Sequence, residues 1–141
     1  MKLNPYLNFP GTTEQAFNFY KSIFGGEFIG LTRFKDVKDG DKMPPAEQNM
    51  LMHVALPIGK DTILMATDTI ESMGQKINMG NNVHLVISVD SKADADKYFN
   101  ALSAGGKINQ PLADQFWGAY FGMCIDKFGV YWMVSYDPTR P

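Results

Sequence analysis

The same order of apolar runs, helix-starting residues and glycine stops occurs twice along this chain, and that repetition restricts its fold more than any other feature. "LNPYLNF" (3–9) alternates as a strand, and "GTTEQ" then opens a helix, with Thr12 and Gln15 at capping-box spacing. Ala16, Phe19, Tyr20 and Ile23 recur at helical spacing, and Gly25-Gly26 stops the run. "EFIGLTRF" (27–34), "NMLMHVALPI" and "DTILMATD" read as three strands, the last two joined by a turn at Gly59-Lys60. The second pass begins with "VHLVISV" as a strand. A helix follows in "SKADADKYFNALSAGG", with Ser91 and Asp94 at capping-box spacing and Ala95, Tyr98, Phe99 and Leu102 on one face. "KINQPL", "FWGAYFGMCID" and "VYWMVSYD" supply three further strands, the last two joined by "KFG". Phe19-Tyr20 before Gly25-Gly26 echoes Tyr98-Phe99 before Gly105-Gly106, eighty positions on. A duplicated βαβββ unit accounts for all of this.

Each unit has one helix for one sheet face, so the other face must find a partner or enclose something. The expected architecture is α+β: two βαβββ modules forming a curved mixed sheet around a cup-shaped cavity. The 141 residues make one domain, with module one at 1–68, a linker at 69–80 and module two at 81–137. "KDVKDGDKMPPAEQ" (35–48) reads as a polar, solvated loop, and its acidic stretch lacks the ligand spacing and closing Glu of a calcium loop.

Composition excludes several function classes. A net charge of −2, with lysines and arginines scattered, gives no nucleic-acid footprint. No apolar run approaches the roughly 18 residues of a membrane span, and no secretory signal opens the chain. The single cysteine, Cys124, forms no internal disulfide, and its surroundings in sequence contain nothing to lower its pKa. A cytoplasmic protein with no membrane partner is expected.

The paired modules resemble the vicinal-oxygen-chelate superfamily, which includes glyoxalase I, extradiol dioxygenases, fosfomycin-resistance enzymes and bleomycin-binding proteins. "LNPYLNFPGTTEQAFNFYKSIFGGEF", "HVALPIGKDTILMATD" and "FWGAYFGMCIDKFGVYWMV" are similar to its PhnB-like branch, over essentially the whole chain. That branch often carries the label 3-demethylubiquinone-9 3-methyltransferase-like. No Gly-rich strand-turn-helix that would hold a nucleotide-like methyl donor stands in this sequence. The resemblance implies a homodimer.

It also implies where a divalent ion would sit in metal-dependent members: one side chain from the first strand and one from the last strand of each module. Those positions carry His84 in module two, Asn4 or Pro5 in module one, and Met65 and Met133 at the two carboxylate places. Hard divalent cations select oxygen and imidazole, and thioethers suit softer ions. The reading is therefore a protein without metal or cofactor that binds a small, largely apolar molecule. Asn4, Tyr6, Asn8, Met65, His84, Ser88, Trp117 and Met133 are its candidate ligand contacts. Two alternatives stay open. His84 or His53 can serve as acid or base in a lyase, isomerase or transferase, because imidazole titrates near neutral pH. His53 and His84 with Asp68 or Glu71 form the alternative metal set of an atypical divalent-metal enzyme.

Overall fold

The chain forms two units with a break between Asn78 and Met79, and each unit is a four-stranded mixed sheet with a helix on one face. A computed structural model describes residues 1–140. In module one the strands are β1 (Tyr6–Phe9), β2 (Gly30–Arg33), β3 (Leu51–Ile58) and β4 (Thr62–Asp68), in the order β1-β4-β3-β2. β1 runs parallel to β4, and the other neighbours are antiparallel. Helix α1 (Thr13–Phe24) buries Ala16, Phe17 and Tyr20 against the sheet. Each fully buried aromatic or aliphatic side chain of this kind stabilises by about 1.5–3 kcal/mol. The helix stops at Gly25, whose φ of 76° suits glycine and whose N–H donates to the Lys21 carbonyl.

The start of α1 differs from the capping box expected there. Thr12 makes no capping hydrogen bond through its side chain. Asp68, at the end of β4, supplies the acceptor instead. Its Oδ1 takes the Thr13 N–H at 3.0 Å and its Oδ2 takes the Leu51 N–H at 2.8 Å. One buried carboxylate thus joins a helix start, a strand start and a strand end.

Residues 35–48 are more ordered than a solvated loop. They contain two 3-10 turns and a short helix α2 (Pro45–Gln48), with Gly40 and Glu47 buried. Glu47 accepts from the Ser72 N–H and hydroxyl at 3.2 and 2.5 Å. Ile70 is fully buried. The first residues after β4 therefore pack on module one.

Module two repeats the plan with β5 (Leu85–Ser88), β6 (Lys107–Asp114), β7 (Tyr120–Ile125) and β8 (Tyr131–Tyr136), ordered β5-β8-β7-β6. Helix α3 (Lys92–Ser103) buries Ala95, Phe99 and Leu102. Its cap is the expected one: Ser91 Oγ accepts the Asp94 N–H at 3.0 Å. The β7–β8 turn is organised by Asp126. Its Oδ1 accepts from Phe128 and Val130 N–H at 2.8 and 3.1 Å, and its Oδ2 accepts from Trp132 Nε1 at 2.8 Å. Cys124 is fully buried beside it, and burial, then the Asp126 charge, push the thiol pKa up to about 11. Among the described residues, no helix is long and apolar enough to cross a membrane.

Candidate functional site

Strand register decides which side chains share the face opposite each helix, because neighbours across a ladder point the same way. In module one, Tyr6 lies opposite Met65 and Asn8 opposite Thr67. Ala55 lies opposite Met65, and Thr32 opposite His53. The open face therefore carries Tyr6, Asn8, Thr32, His53, Met65 and Thr67. The Tyr6 hydroxyl is 3.1 Å from His53 Nδ1, and burial raises the Tyr6 pKa, keeping the phenol protonated.

In module two, Val86 lies opposite Met133 and Ser88 opposite Ser135, while Met133 also faces Met123 and Ser135 faces Phe121. His84 stands one residue before β5, and its ring meets the Tyr131 ring edge-on at 5.2 Å and 79°. Ser88 and Trp117 come together in a cavity of about 490 Å³, lined also by Val86, Asp90, Phe121 and Ser135. Trp117 and Phe121 form its aromatic wall, with ring centroids 5.8 Å apart at 65°. Trp117 sits in the β6–β7 turn, half exposed, and Phe116 beside it is almost wholly exposed.

The register also fixes a correspondence that sequence leaves one residue loose. Tyr6 faces Met65 as Val86 faces Met133, so Asn4, two residues before Tyr6, corresponds to His84. Asn4 Oδ1 already accepts the Ile63 N–H at 3.0 Å. The four superfamily positions thus hold one amide oxygen taken by the backbone, one imidazole and two thioethers. That donor set does not fit a hard divalent cation. Asp68 of the alternative set is committed to other groups. Both Asp68 oxygens serve backbone N–H groups, and Asp68 lies one residue beyond Thr67, on the face opposite His53. Within neither module do three His, Cys, Asp or Glu side chains come together as a group able to hold a metal ion, among the described residues.

Sequence reasoning missed Phe121, Ser135 and Asp90 as wall residues. The alternation of "AYFGMCI" was the available signal: placing Tyr120, Gly122 and Cys124 on one face leaves Phe121 and Met123 on the other.

Comparison with known proteins agrees with this topology. The profile of the Glyoxalase/Bleomycin resistance protein/Dioxygenase superfamily matches residues 2–134. Protein YjdN of Escherichia coli K12 is 27% identical, covering 100% of this chain and 99% of YjdN. The crystal structure of protein PA1353 from Pseudomonas aeruginosa superposes with a TM-score of 0.85 at 35% identity, covering 97% of this chain and 98% of that one. A PhnB protein from Bacillus cereus, provisionally described as a 3-demethylubiquinone-9 3-methyltransferase, shares the fold with a TM-score of 0.79 at 24% identity, covering 96% and 99%. Two βαβββ modules with this strand order, matched along almost their whole length, place the chain in the glyoxalase/bleomycin resistance protein/dioxygenase superfamily, with PhnB-like proteins among its structural neighbours.

Proposed function

We propose that the protein binds a small, largely apolar organic molecule on the open face of module two, and that it does so without a divalent ion. The observation that carries this reading is the cavity of about 490 Å³, in which Trp117, Phe121 and Val86 give apolar surface and Ser88 and Ser135 give hydroxyls. Aromatic walls with a few polar groups are the usual make-up of small-molecule sites. The metal-free part rests on Met65 and Met133, which replace the charge that would hold a cation. The test uses N-phenyl-1-naphthylamine, a neutral fluorescent probe. Binding should be saturable, and Trp117→Ala should weaken it by about 1 kcal/mol or more. Equal binding by Trp117→Ala and wild type would remove the site. Added Mn²⁺ or Zn²⁺ should leave the melting temperature unchanged, because an ion bound only by the folded state raises it. A rise of several degrees that His84→Ala abolishes would overturn the metal-free reading.

One observation favours a second reading, an enzyme with His53 as acid or base: the Tyr6–His53 contact at 3.1 Å on the open face of module one. That reading expects deuterium exchange at the α-carbon of small carbonyl compounds, lost in His53→Ala. A protein that only binds would catalyse none.

A further inference from the structure

The charges around the module-two cavity discriminate among the molecules it can hold, an inference that rests on the binding function proposed above. Its lining includes Asp90, Asp137 and Arg140, two carboxylates against one guanidinium. The Arg140 guanidinium is exposed and is paired with a carboxylate of the same cavity. Its Nε lies 3.4 Å from Asp137 Oδ2. Asp137 is itself fixed, its Oδ1 accepting from the Thr139 N–H and hydroxyl at 2.9 and 2.6 Å. These bonds, the hydroxyl's first, hold the Asp137 carboxyl below its ordinary range, so the pair stays doubly charged and cancels. Lys92, close by in sequence, is engaged elsewhere: its Nζ is 2.8 Å from Asp114 and 5.0 Å from the Tyr120 ring. Tyr120 points to the helix side, where its hydroxyl donates to Asp96 at 2.6 Å.

Asp90 remains. It is exposed at the cavity edge, and it makes no hydrogen bond or ion pair among the described residues. The same cavity is lined by the aromatic pair Trp117 and Phe121. An indole face attracts cations through its quadrupole, and an unpaired carboxylate adds to that attraction. We infer that the cavity selects organic cations, namely a substituted ammonium carried on a small apolar or aromatic body, over anions of the same size. The apolar body lies against Val86 and Phe121, and the ammonium sits between Trp117 and Asp90. No proton or bond needs to move for this recognition.

Three probes of similar bulk test the inference at low ionic strength, where surface charge is least screened: benzyltrimethylammonium, benzyl alcohol and phenylacetate. Affinity is read by calorimetry. The cation should bind about tenfold more tightly than phenylacetate, the scale of one cation–π contact aided by one carboxylate. Asp90→Asn should remove most of that preference, read as the ratio of cation affinity to benzyl alcohol affinity. Trp117→Leu should weaken all binding. Phenylacetate binding as well as the cation, or a preference that survives Asp90→Asn, would overturn the inference. If benzyl alcohol binds through Trp117 with no advantage for the cation, the charge selectivity falls and the binding function stands. If no probe depends on Trp117, both fall.

Discussion

The two open faces share a register and differ in chemistry. In module one the row Asn8, Thr67, His53 and Thr32 crosses all four strands with hydrogen-bonding side chains. The row at the same place in module two is Ser88, Ser135, Phe121 and Ala113, half of it apolar and flanked by Trp117. The helix-side faces diverged less, each keeping small or apolar residues under its helix. The two modules therefore agree on the surfaces that must pack and differ on the open faces, as expected when packing constrains only one side of a sheet.

The same contrast holds for the buried aspartates. Asp126 works locally, accepting from groups two, four and six residues ahead. Asp68 works at long range, joining Thr13 and Leu51 across the module. Removing either strands buried donors. Asp126→Ala should cost about 3–5 kcal/mol, because three donors lose a charged acceptor, and Asp68→Ala about 2–4 kcal/mol for two. Urea unfolding midpoints check both. A larger loss for Asp68 would show that joining distant segments matters more than the number of donors satisfied.

A volume trade separates the two cores. Leu56 faces Leu64 in module one, and Cys124 faces Trp132 at the matching place in module two. The small thiol makes room for the indole. Cys124→Leu should overpack that site and cost about 1–3 kcal/mol, whereas Leu56 already fills its own. The thiol also has a pH signature. Its folded pKa, about 11, exceeds the ordinary value of 9.0, so the unfolded chain loses the proton first. Stability is whole below the unfolded value and declines as pH rises from there through about 11. Cys124→Ala should lack that part of the alkaline decline in a pH series of unfolding curves.

Sequence pattern reaches the fold because helix and strand periods, with glycine stops, are local, and they occur twice. It reaches only part of the polar architecture. The Thr12–Gln15 spacing looked like a cap, yet the acceptor that serves the start of α1 is Asp68, at the far end of the module. No local pattern marks a partner so distant in the chain. Asp126 was legible in principle, since an Asp two residues before a backbone donor and three before Gly129 is a side-chain-nucleated turn. Among the cavity residues, Ser88 comes from β5 and Trp117 from the β6–β7 turn, a long-range pairing that alternation alone does not specify.

Ion pairs between each helix and its edge strand give a finer comparison. Arg33 on β2 grips both Glu14 oxygens on α1, at 2.9 and 2.6 Å, and also reaches the Asn49 carbonyl at 2.9 Å. Lys92 on α3 meets Asp114 on β6 through one contact of 2.8 Å, with both side chains more than half exposed. A bidentate, half-buried pair holds its geometry better than a solvated point charge. After allowance for solvent screening, Arg33→Ala should cost about 1 kcal/mol and Lys92→Ala under about 0.5 kcal/mol. Both losses should shrink in high salt, the second to nothing measurable.

The smallest expected effect tests which local signals are used. Ser91 and Thr12 occupy the same place, one residue before a twelve-residue helix, and both are good capping residues. Only Ser91 caps, its backbone extended at φ −156° and ψ 160° so that Oγ reaches the Asp94 N–H. Thr12, at φ −110° and ψ 12°, makes no such bond, and the Thr13 N–H beside it is already held by Asp68. Ser91→Ala should therefore cost about 0.5–1 kcal/mol and Thr12→Ala no more than a few tenths, about the noise of a careful unfolding curve. In an Asp68→Ala background the released Thr13 N–H and the loosened first turn give Thr12 a reason to cap. There Thr12→Ala should become more costly than in the wild type, a coupling that only neighbouring groups show. Equal losses at Ser91 and Thr12 in the native background would mean that both helices start alike, and that the long-range carboxylate does not replace the local cap.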